Sequence, residues 1–347
     1  MRKKNIGIIG TGSWGSALGL HLYDQGHNLF FWEHDENRVK TILETRINDL
    51  LPVRPFPSDA GITNELKPVV ENKDLLIMAV PSHVMRTVCR HINSLDSNSN
   101  PLIVNISKGI ETESLMRMSE VITQEIKFPL RGIVTVTGPS HAEEVVRKLP
   151  TVLVAACAQE SLSEEIQLLL MDDRLRVYTT DDLVGVELGG SLKNVIAIAA
   201  GISDGVGFGD NAKAALIVRG AYEIMKIGLA MGARPETFSG LTGMGDLIVT
   251  CISKHSRNRY VGEELGKGRK LDEILKSMKM VAEGVTTTSS AIRLAEKFHV
   301  EMPVAKAVYD VMFNNADPLQ QVNELMLRDP KAELIDRSQV ILNRMKN

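Results

Sequence analysis

A lysine set among glycines and aliphatic side chains has the makings of a proton donor. Lys193 lies in the stretch GVELGGSLKNVIAIAAG, residues 185–201. Wound as a helix, this stretch puts Gly189, Lys193 and Ala197 in one i, i+4 row, with Gly190 and Ile196 three residues to either side of the lysine. Burial disfavours the charged form of an amine, so a lysine there gives up its proton more readily than one in water. Glycines inside a helix cost about 1 kcal/mol each relative to alanine. Two in succession point to something that must approach the backbone closely beside Lys193. A core helix whose lysine snorkels to water fits the same pattern.

The second chemical feature is Gly10-Thr11-Gly12-Ser13-Trp14-Gly15, a G-x-G-x-x-G turn. It follows the apolar run NIGII and opens the helix-like run SALGLHLYDQG, the context that marks a dinucleotide fingerprint. Gly10 allows the tight turn, Gly12 lets a pyrophosphate reach the backbone, and Gly15 lets helix pack on strand. The helix start adds unpaired N–H groups and a partial positive charge. Glu33 follows Gly10 at close to the roughly 20-residue spacing at which an acid meets the ribose 2′-hydroxyl. A carboxylate there favours NAD over NADP. His34 and Arg38 lie close enough in sequence to offset it.

Three further groups have charge or polarity to offer. Lys108 follows the apolar run PLIVNIS at a strand end, where a ligand-facing and a plain surface lysine are both open. Asp246 ends the glycine-rich GLTGMGD, and it either orients Lys193 or caps a helix. Ser256-Arg257-Asn258 reads as a helix start with a serine cap, a phosphate-binding arrangement or a capped surface helix. The segment Val281-Ala282-Glu283-Gly284 leads into a threonine-rich turn and carries little meaning on its own.

These groups need elements to hold them. Apolar runs predict strands at 5–9, 28–32, 75–80, 101–107, 132–137, 151–157 and 175–179, with helices near 83–92, 140–148 and 161–171. Gly10, Pro81, Lys108 and Gly138 all fall at carboxyl ends of strands, where open α/β sheets bind ligands. After Asp182 the strand pattern stops. Helices are expected at 183–203, 210–232, 235–239, 258–266, 271–277, 287–298, 303–313 and 317–328. The chain thus divides into residues 1–184 and 185–347, with the Lys193 helix at the junction.

Composition narrows the class. The chain has 347 residues, enough for about two domains. A net charge of −3 and 4% aromatic residues argue against nucleic acid as the main partner. Three separated cysteines, Cys89, Cys157 and Cys251, form no C-x-x-C pair, and no histidine motif implies a metal. No uninterrupted apolar run has the length of a membrane span. A reducing, cytoplasmic setting is expected.

Together the motifs GTGSWGSAL, VPSHV, SKGIE, TGPSHAEEV, GVELGGSLKNVIAIAAGISDGVGFGDNAKAALIVRG, GLTGMGDLIVTC, SRNR and VAEGVTTT resemble the NAD(P)-dependent glycerol-3-phosphate dehydrogenases of the bacterial soluble type. The resemblance runs to about residue 315. It implies an α/β Rossmann-type N-terminal domain plus an all-α C-terminal domain, 6-phosphogluconate dehydrogenase C-terminal-like. It implies NAD or NADP as cofactor and reduction of dihydroxyacetone phosphate to sn-glycerol 3-phosphate, the phospholipid precursor. A homodimer stays open.

Carried over by position, Lys193 resembles the catalytic lysine and Lys108 the second lysine at the substrate, while Asp246 matches the substrate-binding set and would hold Lys193 in place. Gly138, Ser140, Asn194, Ser256, Arg257 and Asn258 complete the implied substrate set. Ser13, Trp14, His34, Lys108, Ala142, Arg257, Val281 and Glu283 are the implied cofactor contacts, beside Gly10, Gly12, Gly15 and Glu33 from the fingerprint. Many members have a small or basic residue where this chain has Glu33. Two rivals share part of this pattern. One is a β-hydroxyacid or 6-phosphogluconate dehydrogenase, which also pairs lysine with asparagine. The other is a non-catalytic NAD(H)-sensing protein, in which the lysines and arginine would lack a purpose.

Overall fold

The structure is a computed structural model that describes residues 2–95, 100–278, 280–330 and 333. Its first half alternates strand and helix: β1 (Asn5–Ile9), α1 (Ser13–Asp24), β2 (Asn28–Trp32), α2 (Glu36–Thr45), β3 (Gly61–Thr63), α3 (Lys67–Val70), β4 (Leu75–Met78), α4 (Met85–Asn93), β5 (Leu102–Asn105), α5 (Met118–Glu125), β6 (Gly132–Thr137), α6 (Ala142–Val145), β7 (Thr151–Ala156), α7 (Glu160–Leu170) and β8 (Leu175–Thr180). The strands form one sheet in the order β3-β2-β1-β4-β5-β6-β7-β8. All neighbours are parallel except β6 and β7. β4 and β5 are buried along their whole length, because helices cover both faces of a parallel sheet. That is why they read as unbroken apolar runs.

Strand order reverses between β1 and β4, which opens a crevice at their carboxyl ends. The structure bears out the Rossmann-type expectation. It adds elements that the sequence pattern does not announce, namely α2, β3, α3 and α5. β3 and α3 are only 3 and 4 residues long, too short for a period to show.

Among the described residues, everything after β8 is helical: α8 (Leu183–Val206), α9 (Asp210–Ala230), α10 (Pro235–Ser239), a wide π-type turn (Leu241–Gly245), α11 (Asp246–Ile252), α12 (Arg257–Gly266), α13 (Leu271–Ser277), α14 (Glu283–Lys297), α15 (Pro303–Phe313) and α16 (Pro318–Met326). α14 begins earlier than its sequence pattern indicates, and the threonines expected in a turn are helical. Thr287 and Thr288 are fully buried, and the Thr288 hydroxyl donates to the Gly284 carbonyl at 2.7 Å. That back-bond removes the polar cost of placing threonine inside the helix.

α8 is the axis of this half. It is the one described helix long and apolar enough to cross a membrane, and 89% of its apolar window is buried inside the protein. It is a core helix. α12 lies against it backbone to backbone. A Cβ on Gly201 would stand 2.0 Å from the Arg259 carbonyl, and one on Gly262 would stand 2.0 Å from the Ile198 carbonyl. Only glycine permits so close a crossing, and it carries the start of α12 to the middle of α8. At the other end, buried Glu187 accepts from Arg117 Nη1 at 2.6 Å, from the Ser119 hydroxyl at 2.6 Å and from the Ser119 amide at 2.9 Å. These bonds fasten α8 to the sheet layer.

A second buried acid gives this half a pH dependence. Glu223 on α9 is 3% exposed, and its carboxylate accepts from the backbone N–H groups of Val304 and Ala305 at 2.8 and 3.1 Å. It caps α15, whose own N-cap side chain makes no such bond. Burial pushes Glu223 up to about 7 from an ordinary 4.5. A carboxyl raised on folding stabilises the fold fully below its unfolded value, and that contribution fades as pH rises through the folded value. The loss amounts to roughly 3 kcal/mol between about pH 4.5 and 7. Unfolding followed against pH in wild type and Glu223→Gln should show the difference. The variant loses about 1 kcal/mol for one backbone bond and has a flatter profile across that window. Parallel profiles would show that Glu223 does not titrate there.

Candidate active site

The site forms where α8 meets the carboxyl end of the sheet. Lys193 is 5% exposed, and its Nζ donates to Asp246 Oδ1 at 2.5 Å and to Thr250 Oγ1 at 2.6 Å. Lys108, from the end of β5, donates to Asp246 Oδ2 at 2.7 Å and to the Gly138 carbonyl at 3.3 Å. One buried carboxylate therefore holds two ammonium groups, one from each half of the chain. Of the two roles open to Asp246, its side chain takes the orienting one. It stands at the start of α11, where no side-chain cap is made.

The electrostatics follow from this geometry. Burial lowers Lys193 to about 7, the Asp246 charge opposes that shift, and Lys108 adds to it. Burial alone would raise Asp246, but the two ammonium groups outweigh it and hold the carboxylate below its usual range. Asp246 is thus ionised while Lys193 is poised between ammonium and amine near neutral pH.

The paired glycines beside Lys193 do admit a close approach. A Cβ on Gly189 would meet the Thr242 carbonyl at 2.7 Å, and one on Gly190 would meet Thr137 Oγ1 at 2.8 Å. The chain itself approaches there. The glycines let α8 sink between the π-type turn and the end of β6, and that depth buries the lysine.

The remaining predicted residues fall in two groups. Gly138 and Ser140 lie together at the end of β6, where the Ser140 hydroxyl donates to the Gly138 carbonyl at 2.9 Å. Asn258 Nδ2 donates to Asn194 Oδ1 at 2.9 Å, and Asn258 Oδ1 accepts from the Gly284 amide at 2.9 Å. Ser256 caps α12 by accepting from the Arg259 amide at 3.2 Å. Arg257 is exposed and donates to the Val281 carbonyl at 2.8 Å. Desolvation there moves its guanidinium below the ordinary value, with Glu283 and Glu143 opposing. Glu283 spans the two halves and accepts from the Ser82 amide at 3.0 Å and the Ser82 hydroxyl at 2.5 Å.

The second group lines the crevice at β1. Gly10 has φ +114°, and a Cβ on Gly15 would stand 2.6 Å from the Gly10 carbonyl. A Cβ on Gly12 would meet nothing within 4 Å, so that face of the turn is open. α1 has no side-chain cap and no acid in its first turn, which leaves its N-terminal amides to an anion. Ser13 donates to the Leu50 carbonyl at 3.0 Å and contacts Met280 Sδ at 3.2 Å. Trp14 is partly buried against the sheet core, and Ala142 is buried at the start of α6. These residues fit a dinucleotide.

Glu33 sits at the end of β2 as its spacing predicts, but its carboxylate does not stand free for a ribose. It is 2% exposed and accepts from Thr11 Oγ1, from Arg38 Nη1 at 2.5 Å and from the Asp35 amide at 3.1 Å. It also lies 2.7 Å from His34 Nδ1, whose side chain is 77% exposed.

Comparison with known proteins decides the family. The model of the NAD-dependent glycerol-3-phosphate dehydrogenase N-terminus matches residues 5–163, and the model of its C-terminus matches residues 182–323. The chain belongs to this dehydrogenase family. A relative from Thermoanaerobacter sp. (strain X514), called glycerol-3-phosphate dehydrogenase [NAD(P)+], is 47% identical over 95% of this chain and 98% of its own. One of the same description from Fusobacterium nucleatum is 46% identical over 95% and 98%. The crystal structure of glycerol-3-phosphate dehydrogenase from Coxiella burnetii superimposes with a TM-score of 0.90 at 35% identity, covering 94% of this chain and 99% of that one.

Within this dehydrogenase family fold, three groups at the site escaped the sequence reading. Thr250 holds Lys193, and its position four residues after Asp246 on α11 was the available signal. Ser82 ties β4 to α14 across more than half the chain, which no local pattern reveals. His141, beside Ser140, has a buried Nε2 with no protein partner among the described residues. Burial lowers its imidazole, and nearby Lys193 lowers it further.

Proposed function

We propose that this dehydrogenase reduces dihydroxyacetone phosphate to sn-glycerol 3-phosphate, reversibly, with NADH or NADPH, and so supplies a precursor of phospholipids. The observation that carries the reading is Lys193, buried, held by Asp246 and lowered to about 7. Hydride is the chemistry that the bound dinucleotide supplies. Everything else falls to the chain. Negative charge grows on the substrate's carbonyl oxygen as its carbon is reduced, and the Lys193 and Lys108 ammonium groups stabilise that charge. Lys193 gives its proton to the oxygen and becomes an amine, which solvent reprotonates after product leaves. In the oxidative direction the amine takes the hydroxyl proton.

Asp246 and Thr250 fix where that proton sits. Gly138, Ser140, Asn194 and Asn258 line the substrate, while Ser256 and Arg257 receive its phosphate at the start of α12. Such remote binding positions the reacting carbon. Gly10, Gly12, Ser13, Trp14 and Gly15 would hold the dinucleotide's phosphates and His34 its ribose edge. Ala142, Val281 and Glu283 would complete its contacts, with Lys108 and Arg257 shared between ligands. The substrate and coenzymes are water-soluble, which supports a cytoplasmic location. A homodimer accords with the exposed apolar side chains Val218, Ile248 and Ile252 on α9 and α11, and light scattering tests it.

The pH dependence tests the proton assignment. Reduction needs the ammonium, so its kcat/KM should fall as pH rises through about 7. Oxidation needs the amine and should rise over the same range. Profiles that run in the same direction for both reactions would exclude Lys193 as the shared acid and base. Oxidation of NADH with dihydroxyacetone phosphate, against a panel of 2-keto and 3-keto acids, tests the substrate. Turnover of the acids in preference to the phosphate would favour a hydroxyacid dehydrogenase.

A further inference from the structure

The charged network at the end of β2 goes beyond the reading above and rests on its assignment of a dinucleotide to the β1–α1 turn. In a fold of this type, the end of β2 faces the 2′ position of the adenosine ribose. An acid there reads the hydroxyl, and a nearby arginine accommodates a 2′-phosphate. This chain has both. The Glu33 carboxylate has two oxygens and is surrounded by Thr11 Oγ1, Arg38 Nη1, His34 Nδ1 and the Asp35 amide. Its acceptor capacity is taken up by the protein, and it lies beneath the surface.

Arg38, from the first turn of α2, covers it. Its side chain is 24% exposed, and its Nη2 donates to Asn48 Oδ1 at 3.0 Å. Asn48 in turn donates to the Thr11 carbonyl at 2.8 Å and to Ser16 Oγ at 2.8 Å. The guanidinium is therefore braced against the glycine-rich turn itself. Two other carboxylates stand near it. Asp35 caps the amides of Asn37 and Arg38, whereas exposed Asp49 accepts from Arg38 Nε at 3.3 Å and is the partner that a 2′-phosphate would displace.

We propose that Arg38 determines how this chain treats the 2′ position of the coenzyme, with Glu33 as the buried acid that holds Arg38 in place and not as the reader of the ribose hydroxyl. The guanidinium neutralises the acid, and the N–H groups it now turns to exposed Asp49 are the donors that a 2′-phosphate would take over. A 2′-phosphate then meets a cation and not a bare carboxylate, so NADPH is accepted alongside NADH. Arg38 acts as a specificity residue through direct charge, and Asn48 positions it.

Calorimetric binding of NADH, NADPH, 5′-AMP and adenosine 2′,5′-bisphosphate tests this without turnover. Arg38→Ala removes the cation and uncovers Glu33, so it should weaken NADPH and the bisphosphate by about tenfold or more relative to NADH and 5′-AMP. Arg38→Lys keeps the charge without the fork and should lose less. Glu33→Gln keeps an acceptor for Thr11 and Arg38 while removing the negative charge, so it should strengthen NADPH relative to NADH. Thermal unfolding checks that each variant folds, and Arg38→Lys serves if the alanine variant does not. An unchanged NADPH-to-NADH ratio in the Arg38 variants would overturn the inference. So would a Glu33→Gln variant that loses NADH affinity alone, because Glu33 would then read the hydroxyl. Failure of wild type to bind either dinucleotide would instead sink the assignment of the turn.

Discussion

Lys193→Ala should bind NADH as wild type does and lose about a hundred- to ten-thousandfold in kcat with dihydroxyacetone phosphate, the span that a positioned proton donor contributes. The structure separates the two properties. Lys193 comes from the middle of α8, whereas the glycine-rich turn lies at the head of α1 on the far side of β4. Removing the amine does not leave Asp246 unpaired, since Lys108 still donates to its Oδ2. The fold should therefore survive the change. Lys193→Arg should not restore turnover, because a guanidinium keeps its proton at neutral pH. Single-turnover rates and NADH fluorescence titrations measure the two properties independently. A variant that kept more than about a tenth of wild-type kcat would show that another group delivers the proton, contrary to the range expected of general acids.

What the sequence could disclose depended on how local the cause was. β4 and β5 were legible because a strand buried on both faces must be apolar throughout. The G-x-G-x-x-G turn was legible because its glycines answer to local geometry, as the positive φ of Gly10 shows. Gly189 and Gly190 were noticed, yet their cause lay in Thr242 and Thr137, which are distant in sequence. Glu33 was found by spacing, but the partners of its carboxylate, Thr11, Arg38 and the Asp35 amide, come from contacts that only the folded chain makes. Asp246 left two roles open until α8 and β5 were seen to deliver a lysine to each of its oxygens. In each case the residue type was informative and the partner was not, since partners are set by packing between elements.

Arg257→Ala tests whether the start of α12 is a phosphate site. An anion there would meet a guanidinium, a serine hydroxyl and helix N-terminal amides together. Charge-assisted bonds of this kind are worth roughly 1.5–3 kcal/mol each. At tenfold per 1.4 kcal/mol, the substitution should cost about ten- to several-hundredfold in kcat/KM for dihydroxyacetone phosphate. A competing role is visible, because Arg257 also donates to the Val281 carbonyl and so steadies the segment that brings Met280 to Ser13. The two roles differ in their dependence on the substrate's phosphate. If Arg257 grips phosphate, unphosphorylated dihydroxyacetone is a very poor substrate for wild type, and the substitution scarcely worsens it. If Arg257 only steadies the segment, both substrates suffer equally and the Kd for NADH rises with them. The comparison is therefore made at saturating NADH. Equal losses on the two substrates would remove the phosphate from α12 and reopen a hydroxyacid as the natural substrate.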